Sequence, residues 1–312
     1  MYRIGVDLGG TKTAAALIDA ENRIICKKTC KTEPEKGNDF ISEAIAGLIS
    51  AILEERALKT DDIELLGIAS PGAIDVEHGI VERACNLLME HYPLADKLSE
   101  LTKIKNIKVE NDANAAALGE AVAGAAKGSA CSVMITLGTG VGGGFIIDGK
   151  VFSGFNYTGG EFGHMVIEYN GRQCNCGRKG CWEAYSSATA LISDTKKAME
   201  KDPSSLLHEV AKEEGVNGKT AFIAARMGDK AAKKVVDDYI GHLACGVVNI
   251  INMLQPSILC IGGGISNEGD GLIIPLITKV KEEIFTQSSG PSTELRIAML
   301  GNNAGLIGAA NL

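Results

Sequence analysis

One stretch near the amino terminus is written twice. "DLGGTKTAAALIDA" (7–20) lies over "TLGTGVGGGFIIDG" (136–149) without a gap, with Leu8 against Leu137, Gly9 against Gly138, Ile18 against Ile147 and Asp19 against Asp148. Each copy reads as a strand, a glycine turn and a second strand. Two such hairpins, one early and one mid-chain, predict two related domains facing each other across a cleft, the usual place for a small ligand. The length of 312 residues suits two domains, and 45% hydrophobic against 22% charged residues gives a sizeable core.

The remaining pattern is α/β. "YRIGVDLGG" and "RIICKKT" are strands, and "IELLGIASPG" is a buried strand ending in a Pro-Gly turn. "DFISEAIAGLISAILEERA" has helical spacing, with Asn38 as its expected N-cap. "KVENDANAAALGEAVAG" predicts a short strand and then a helix from Asp112 or Ala113. The second hairpin continues into an Asp148-Gly149 turn, "DKAAKKVVDDYIGHLACGVVNIINMLQP" is one helix stopped by Pro256, and "AGLIGAANL" is a terminal helix.

Charge and hydropathy narrow the classes. The net charge is -8 and there is no Lys/Arg run, which argues against nucleic acid as a partner. The opening residues enter a strand directly, and the longest apolar run, "LACGVVNIINML", reads as a buried helix. No membrane association is expected, and the protein is expected in the cytoplasm.

Three glycine loops, "DLGGT", "LGTGVGGG" and "IGGGIS", carry the first functional signal. The middle one contains G-x-G-x-x-G, but a strand follows it, so the dinucleotide reading fails. A glycine turn between strands still presents backbone N–H groups to phosphate. Thr11, Lys12 and Thr139 add donors at these turns, and Asp7 is placed to hold Mg²⁺ directly or through water. One such loop would be a tight hairpin and no more; three predict a nucleotide. In "ENDAN" (110–114), Asp112 can serve as a general base toward an alcohol, or Asn111 and Asp112 can cap the helix. The motif alone leaves both open, capping being the commoner use.

The segment Gly163–Glu183, "GHMVIEYNGRQCNCGRKGCWE", holds three of the nine cysteines and one of the five histidines. His164, Cys174, Cys176 and Cys181 fall within 18 residues, with Gly171, Gly177 and Gly180 supplying turns. Four N/S donors match a closed, tetrahedral structural Zn²⁺ site, and in the cytoplasm clustered cysteines bind metal more often than they form disulfides. Glu161 and Glu183 flank the cluster and suit a polyhydroxyl ligand as a set.

"DLGGTK", "SPG", "ENDANAAALGE", "LGTGVGGG", "GGEFGH", "CNCGRKGCWE" and "IGGGIS" together resemble the bacterial ROK family of sugar kinases, in family order from residue 5 to about 266. The resemblance implies an α/β, actin-like (ribonuclease-H-like) ATPase fold with two domains around a central cleft. A smaller domain over 1–115, with the helix at about 300–312 packed back on it, and a larger zinc-bearing domain over 116–299 are expected. It also implies ATP- and Mg²⁺-dependent phosphorylation of a hexose 6-hydroxyl, glucose by default. Asp112 becomes the catalytic base; Gly72 (by its backbone), Asn86, Asn111, Glu161, His164 and Glu183 meet the sugar. His164 uses one ring nitrogen on zinc and the other toward the sugar. Gly9, Gly10, Thr11, Lys12, Gly138, Thr139 and Gly140 cradle phosphates, and Gly262 and Gly263 lie near adenosine. A homodimer or dimer of dimers is implied. The family's glucokinases carry an N-L-x-W segment; here "ACNLLMEHYPL" (84–94) keeps Asn86 and Pro93-Leu94 but lacks the tryptophan. N-acetylmannosamine, N-acetylglucosamine, allose and fructose are therefore alternative substrates. A sugar-sensing regulator of the family would carry a helix-turn-helix domain before Asp7, where only six residues stand.

Overall fold

The computed structural model describes residues 1–286 and 290–312. The chain opens with β1 (Tyr2–Leu8), β2 (Lys12–Ile18), β3 (Ile24–Lys31), α1 (Asn38–Arg56) and β4 (Ile63–Ser70). Short strands β5 (Ala73–Asp75), β6 (Ile80–Ala84) and β7 (Met89–Tyr92) precede α2 (Leu94–Thr102), β8 (Ile107–Asn111) and α3 (Asp112–Ala123). The second hairpin is β9 (Cys131–Leu137) and β10 (Val141–Ile147), extended by β11 (Lys150–Val151). Helices α4 (Glu183–Ser186), α5 (Ala188–Lys201), α6 (Leu207–Val210), α7 (Thr220–Arg226) and α8 (Lys230–Leu254) follow. The chain closes with β12 (Ile258–Gly262), α9 (Asp270–Glu283), β13 (Glu294–Ile297) and α10 (Ala304–Ala309).

Two five-stranded sheets have matching plans. One runs β3-β2-β1-β4-β8 and the other β11-β10-β9-β12-β13, each with its hairpin before its later strands. The repeat read in the sequence is thus a repeat of topology. In the first sheet β1 is antiparallel to β2 and parallel to β4, and β4 is parallel to β8. β4 has one exposed residue in eight, the continuous apolar run of a central strand covered on both faces.

The molecule divides into two compact units: Met1–Met134, Gly144–Gly160 and Met299–Leu312 in the first, Ile135–Gly143 and Glu161–Ala298 in the second. The first unit keeps all of α3 because α3 packs on α10, where a Cβ on Gly119 or Gly308 would strike the backbone oxygen of Ala304 or Ala115. α10 also lies on β1 and β4, which only glycine at Gly5 and Gly67 permits. On the other face α1 buries Ile41, Ile45, Leu48, Ile49 and Ile52 against a core that includes Ile4, Val6, Leu66 and Ile68.

Asn38 is not the cap of α1. Gly37 occupies that position at φ 96°, where an asparagine would be strained, and Asn38 is the first helical residue. In the second unit α8 starts at a true cap: the Asp229 carboxylate accepts the Ala232 N–H at 2.7 Å. It ends at Leu254, before Gln255 (φ 43°) and Pro256.

Candidate active site

In the first unit the register sets the site. Asp7 pairs with Ala69, and Ser70 pairs with Asn111, so Asp7, the Pro71-Gly72 turn and Asp112 stand at the carboxyl ends of adjacent parallel strands. Ligands of open α/β sheets bind outside those ends. Asn111 caps α3: its Oδ1 accepts the N–H groups of Ala113 (2.9 Å) and Asn114 (3.3 Å). Its Nδ2 donates to the Gly72 carbonyl at 3.0 Å. Gly72 has φ 96° and no room for a Cβ, which would fall 2.1 Å from the Arg83 oxygen. Asn111 therefore holds the turn as well as the helix, and its acceptor is committed within the protein.

Asp112 is the first residue of α3, its Oδ1 accepting the Ala113 N–H at 2.8 Å. Solvent reaches it, but the surrounding chain displaces enough hydration to push its carboxyl above the usual aspartate range. Asp7 is also raised, by burial first and then by the charge of Asp112, against a lowering pull from Lys27. Two raised carboxyls, one of them opposed by the charge of the other, suit a base beside a cation-binding group. The β1–β2 turn is closed by the Gly9 N–H on the Lys12 carbonyl at 3.1 Å, and the Thr32 hydroxyl holds the Gly9 oxygen at 2.6 Å. Thr11 and Lys12 are exposed at its tip. Asn86 lies against this turn: a Cβ on Gly10 would sit 3.3 Å from its Nδ2.

In the second unit the β9–β10 turn and the end of β12 meet. A Cβ on Gly263 (φ 85°) would fall 2.5 Å from the Leu137 backbone, which puts Gly262-Gly263 beside Gly138, Thr139 and Gly140. The Gly138 N–H closes the turn on the Gly140 oxygen at 3.0 Å.

The cysteine segment folds around one point in the same unit. The donor atoms of His164, Cys174, Cys176 and Cys181 all lie within 4.8 Å of one another. Cys176 Sγ and Cys181 Sγ are 3.6 Å apart, and Cys174 Sγ is 3.8 Å from His164 Nδ1. Bonds of about 2.3 Å to sulfur and 2.0–2.1 Å to nitrogen at tetrahedral angles give edges of about 3.6–3.8 Å. The donor set thus fits a tetrahedral ion, and no pair is at disulfide length. Gly177 and Gly180 take φ 93° and 82° to make the turns. Burial pushes the Cys174 thiol up and the Cys181 thiol to about 12, while the Arg178 N–H lowers Cys176. A cation would offset that burial by favouring the thiolates. Because His164 offers Nδ1 to this cluster, its Nε2 faces elsewhere. Trp182 anchors the segment: it is wholly buried, and its Nε1–H donates to the His242 carbonyl at 3.0 Å.

Glu161 stands exposed at the head of the 162–164 turn, and Glu183 opens α4. The expected residues therefore form two groups. Asp7, Gly9–Lys12, Gly72, Asn86, Asn111 and Asp112 belong to the first unit; Gly138–Gly140, Glu161, His164, Glu183, Gly262, Gly263 and the cysteines belong to the second. One residue the sequence reading passed over is Glu110. It is 5% exposed and accepts from the Asn111 N–H (2.9 Å), Asn114 Nδ2 (3.0 Å) and the Ser153 hydroxyl (3.1 Å). A carboxylate closing an apolar strand just before the Asn-Asp pair was the available signal.

Two sheets of one plan, each opening on a glycine-turned hairpin, make the actin-like ATPase fold, and the chain is a sugar kinase built on it. It belongs to the ROK family, whose model matches residues 3–312. It is 39% identical over 311 residues to the glucokinase of Thermotoga maritima, covering 99% of this chain and 96% of that one. The crystal structure of a ROK family glucokinase from Streptomyces griseus, in complex with glucose and AMPPNP, is 34% identical with a TM-score of 0.81, covering 100% and 98% of the two chains. The ROK hexokinase of Thermus thermophilus is 31% identical with a TM-score of 0.84, covering 99% and 97%.

Proposed function

We propose that this chain transfers the γ-phosphoryl group of ATP to the 6-hydroxyl of glucose. The observation that carries the reading is the setting of Asp112, a solvent-reached carboxylate of raised basicity at the carboxyl end of β8, beside Asp7. Asp112 takes the hydroxyl proton as the sugar oxygen reaches the γ-phosphorus. Phosphoryl transfer has a loose transition state and asks for positioning and charge stabilisation beyond that. Lys12 and the backbone N–H groups of the two glycine turns, Gly9–Thr11 and Gly138–Gly140, hold the phosphates. Gly262 and Gly263 border adenosine. Mg²⁺ bound with ATP neutralises phosphate charge, and Asp7 is the side chain to hold it, directly or through water. Glu161, His164 and Glu183 hold sugar hydroxyls, and Asn86 and the Gly72 backbone also meet the sugar. Asn111 acts chiefly by fixing Gly72.

His164, Cys174, Cys176 and Cys181 are read as ligands of one structural Zn²⁺, whose contribution is to fix the His164 ring and the Glu161–Glu183 segment. Elemental analysis of the purified protein should find about one zinc per chain. We place the enzyme in the cytoplasm, where ATP is the donor, as a homodimer. No helix among the described residues is long and apolar enough to cross a membrane.

The test is coupled ADP release with MgATP and a panel of glucose, mannose, fructose, allose, N-acetylglucosamine and N-acetylmannosamine. Glucose should turn over best. Preference for another sugar would keep the mechanism and move the specificity to residues 84–94, where the tryptophan is missing. Silence with every sugar would overturn the kinase reading.

A further inference from the structure

The chain that leaves the last cysteine of the cluster, Cys181, grips the glycine turn of the β9–β10 hairpin. Three residues shortly after Cys181 make the contacts. Glu183 Oε2 accepts the Val141 N–H at 3.0 Å, the Ala188 N–H donates to the Gly138 oxygen at 2.8 Å, and the Thr189 hydroxyl donates to the Thr139 oxygen at 2.8 Å. The turn is pressed onto the carboxylate, because a Cβ on Gly140 would sit 2.3 Å from Glu183 Oε2. The other carboxylate oxygen, Oε1, is 3.8 Å from Cys174 Sγ. Between Cys181 and Glu183 stands Trp182, fixed by its burial, by its Nε1–H on His242 and by its N–H on the Met165 oxygen at 2.8 Å. Glu183 is thus mounted on the cluster at one end and closes the turn at the other.

We propose that Glu183 is a positioning residue that couples the metal cluster to the phosphate-binding turn, so that metal and nucleotide bind cooperatively. The inference rests on the reading above, in which the cluster holds zinc and the Gly138–Gly140 turn meets phosphate. The physical reason is that the turn's backbone is held from one side by a single short segment. Shape at Gly138–Gly140 follows the placement of residues 183–189, and Cys181 sets where that segment starts. A carboxylate has acceptor sites to spare, so one oxygen can hold the turn and leave the other for the sugar, while the chain through Trp182 ties the residue to the cluster at Cys181. Losing the cluster would free Glu183 and let the turn relax. Coupling of this kind is reciprocal: nucleotide must tighten zinc by the factor by which zinc tightens nucleotide.

The experiment uses the zinc-loaded protein, wild type against Glu183→Gln and Glu183→Asp. Gln reaches as far as Glu and keeps an oxygen for the Val141 N–H. Asp keeps the charge but falls a methylene short. Calorimetry with Mg²⁺ and AMPPNP should give Glu183→Gln within about threefold of wild type and Glu183→Asp weaker on the order of tenfold, as for a lost hydrogen bond to a charged group. Competition with a chromogenic chelator, with and without AMPPNP, should show nucleotide raising zinc affinity severalfold in wild type and not in Glu183→Asp. A turn held for structural reasons alone would leave that second measurement flat. Should Glu183→Asp fail to fold by circular dichroism, Thr189→Val removes another grip from an exposed side chain and should weaken AMPPNP severalfold. Wild-type AMPPNP affinity in Glu183→Asp and in Thr189→Val overturns the coupling, as does a wild-type zinc affinity indifferent to nucleotide. If Glu183→Asp loses glucose affinity alone, or the protein carries no zinc, the coupling falls while the kinase reading stands. Only absent turnover in wild type strikes that reading.

Discussion

At the scale of single residues, Asp112 shows function and stability opposed. Lost hydration raises its carboxyl, so the folded state holds the proton more tightly than the unfolded chain does. As pH rises through the window from the ordinary aspartate pKa to the raised one, the unfolded state ionises first and folding stability falls. Ionised Asp112 therefore costs stability at neutral pH, and Asp7, raised by burial and by that charge, shares the cost. Asp112→Asn keeps an oxygen for the Ala113 N–H and removes the charge. It should lower kcat by on the order of 10²–10⁴-fold while melting at or above the wild-type temperature. A variant that keeps its rate would remove Asp112 from the role of base, and one that melts well below wild type would overturn the stability cost. The same shift sets the pH profile. The acid limb of kcat/KM should fall at a pH above the usual aspartate range, near 4, because the base must be ionised to act. A limb at the ordinary position would mean that Asp112 of the free enzyme keeps its hydration, or that another group is the base.

At the scale of elements, the head of α3 is held by one amide doing two tasks. Asn111 Oδ1 caps the helix and Nδ2 holds the Gly72 carbonyl. Two substitutions separate them. Asn111→Ala loses both and should cost about 1 kcal/mol of stability from the cap. Asn111→Asp keeps the acceptor, and its negative charge suits a helix N-terminus, but it can no longer donate to Gly72. We expect its melting temperature near wild type with KM for glucose raised severalfold, the effect of one hydrogen bond. Equal KM values for Asn111→Asp and wild type would show that the Gly72 turn stands without Asn111. This element also marks what the sequence makes legible. The strand–helix junction at Asn111-Asp112, both glycine hairpins, the zinc-type donor set and α8 with its stop at Pro256 all follow from local rules of spacing, capping and turn chemistry. The cap of α1 was misplaced by one residue because Asn is the commoner cap, and nothing local reveals that Gly37 adopts φ 96°. Glu110 stayed hidden because a glutamate is ordinarily solvated; its burial is a product of Ser153 and Asn114, residues it meets only in the fold. The grip of residues 183–189 on the second turn was invisible for the same reason.

At the scale of the whole molecule, the first unit is assembled from three separate stretches, and the last of them closes it. The segment Met299–Leu312 supplies α10, whose Leu306, Ile307 and Ala309 are at most 5% exposed, as is Ala310 just after it. Glycines at positions 5, 67, 119 and 308 exist to let that helix approach β1, β4 and α3 backbone to backbone, which is why they look unremarkable in the sequence and are indispensable in the fold. The Glu120 carboxylate, wholly buried, accepts the Leu300 N–H at 2.8 Å and the Ala125 N–H at 2.7 Å, so removing the segment also takes one of its hydrogen-bond donors. Burial of a large aliphatic side chain is worth about 1.5–3 kcal/mol, and a buried acceptor that loses a donor costs about 1–3 kcal/mol more. Their sum approaches the ~5–15 kcal/mol that holds a domain together. Deleting 299–312 should therefore unfold the first unit and abolish phosphoryl transfer. The cysteine cluster lies wholly in the second unit, within Glu161–Ala298. The truncated protein should keep its zinc while circular dichroism shows part of the helix and strand signal gone. Loss of zinc together with the first unit would mean that the second unit does not fold alone; full activity after truncation would mean that α10 is packing without consequence, against everything its glycine seats imply.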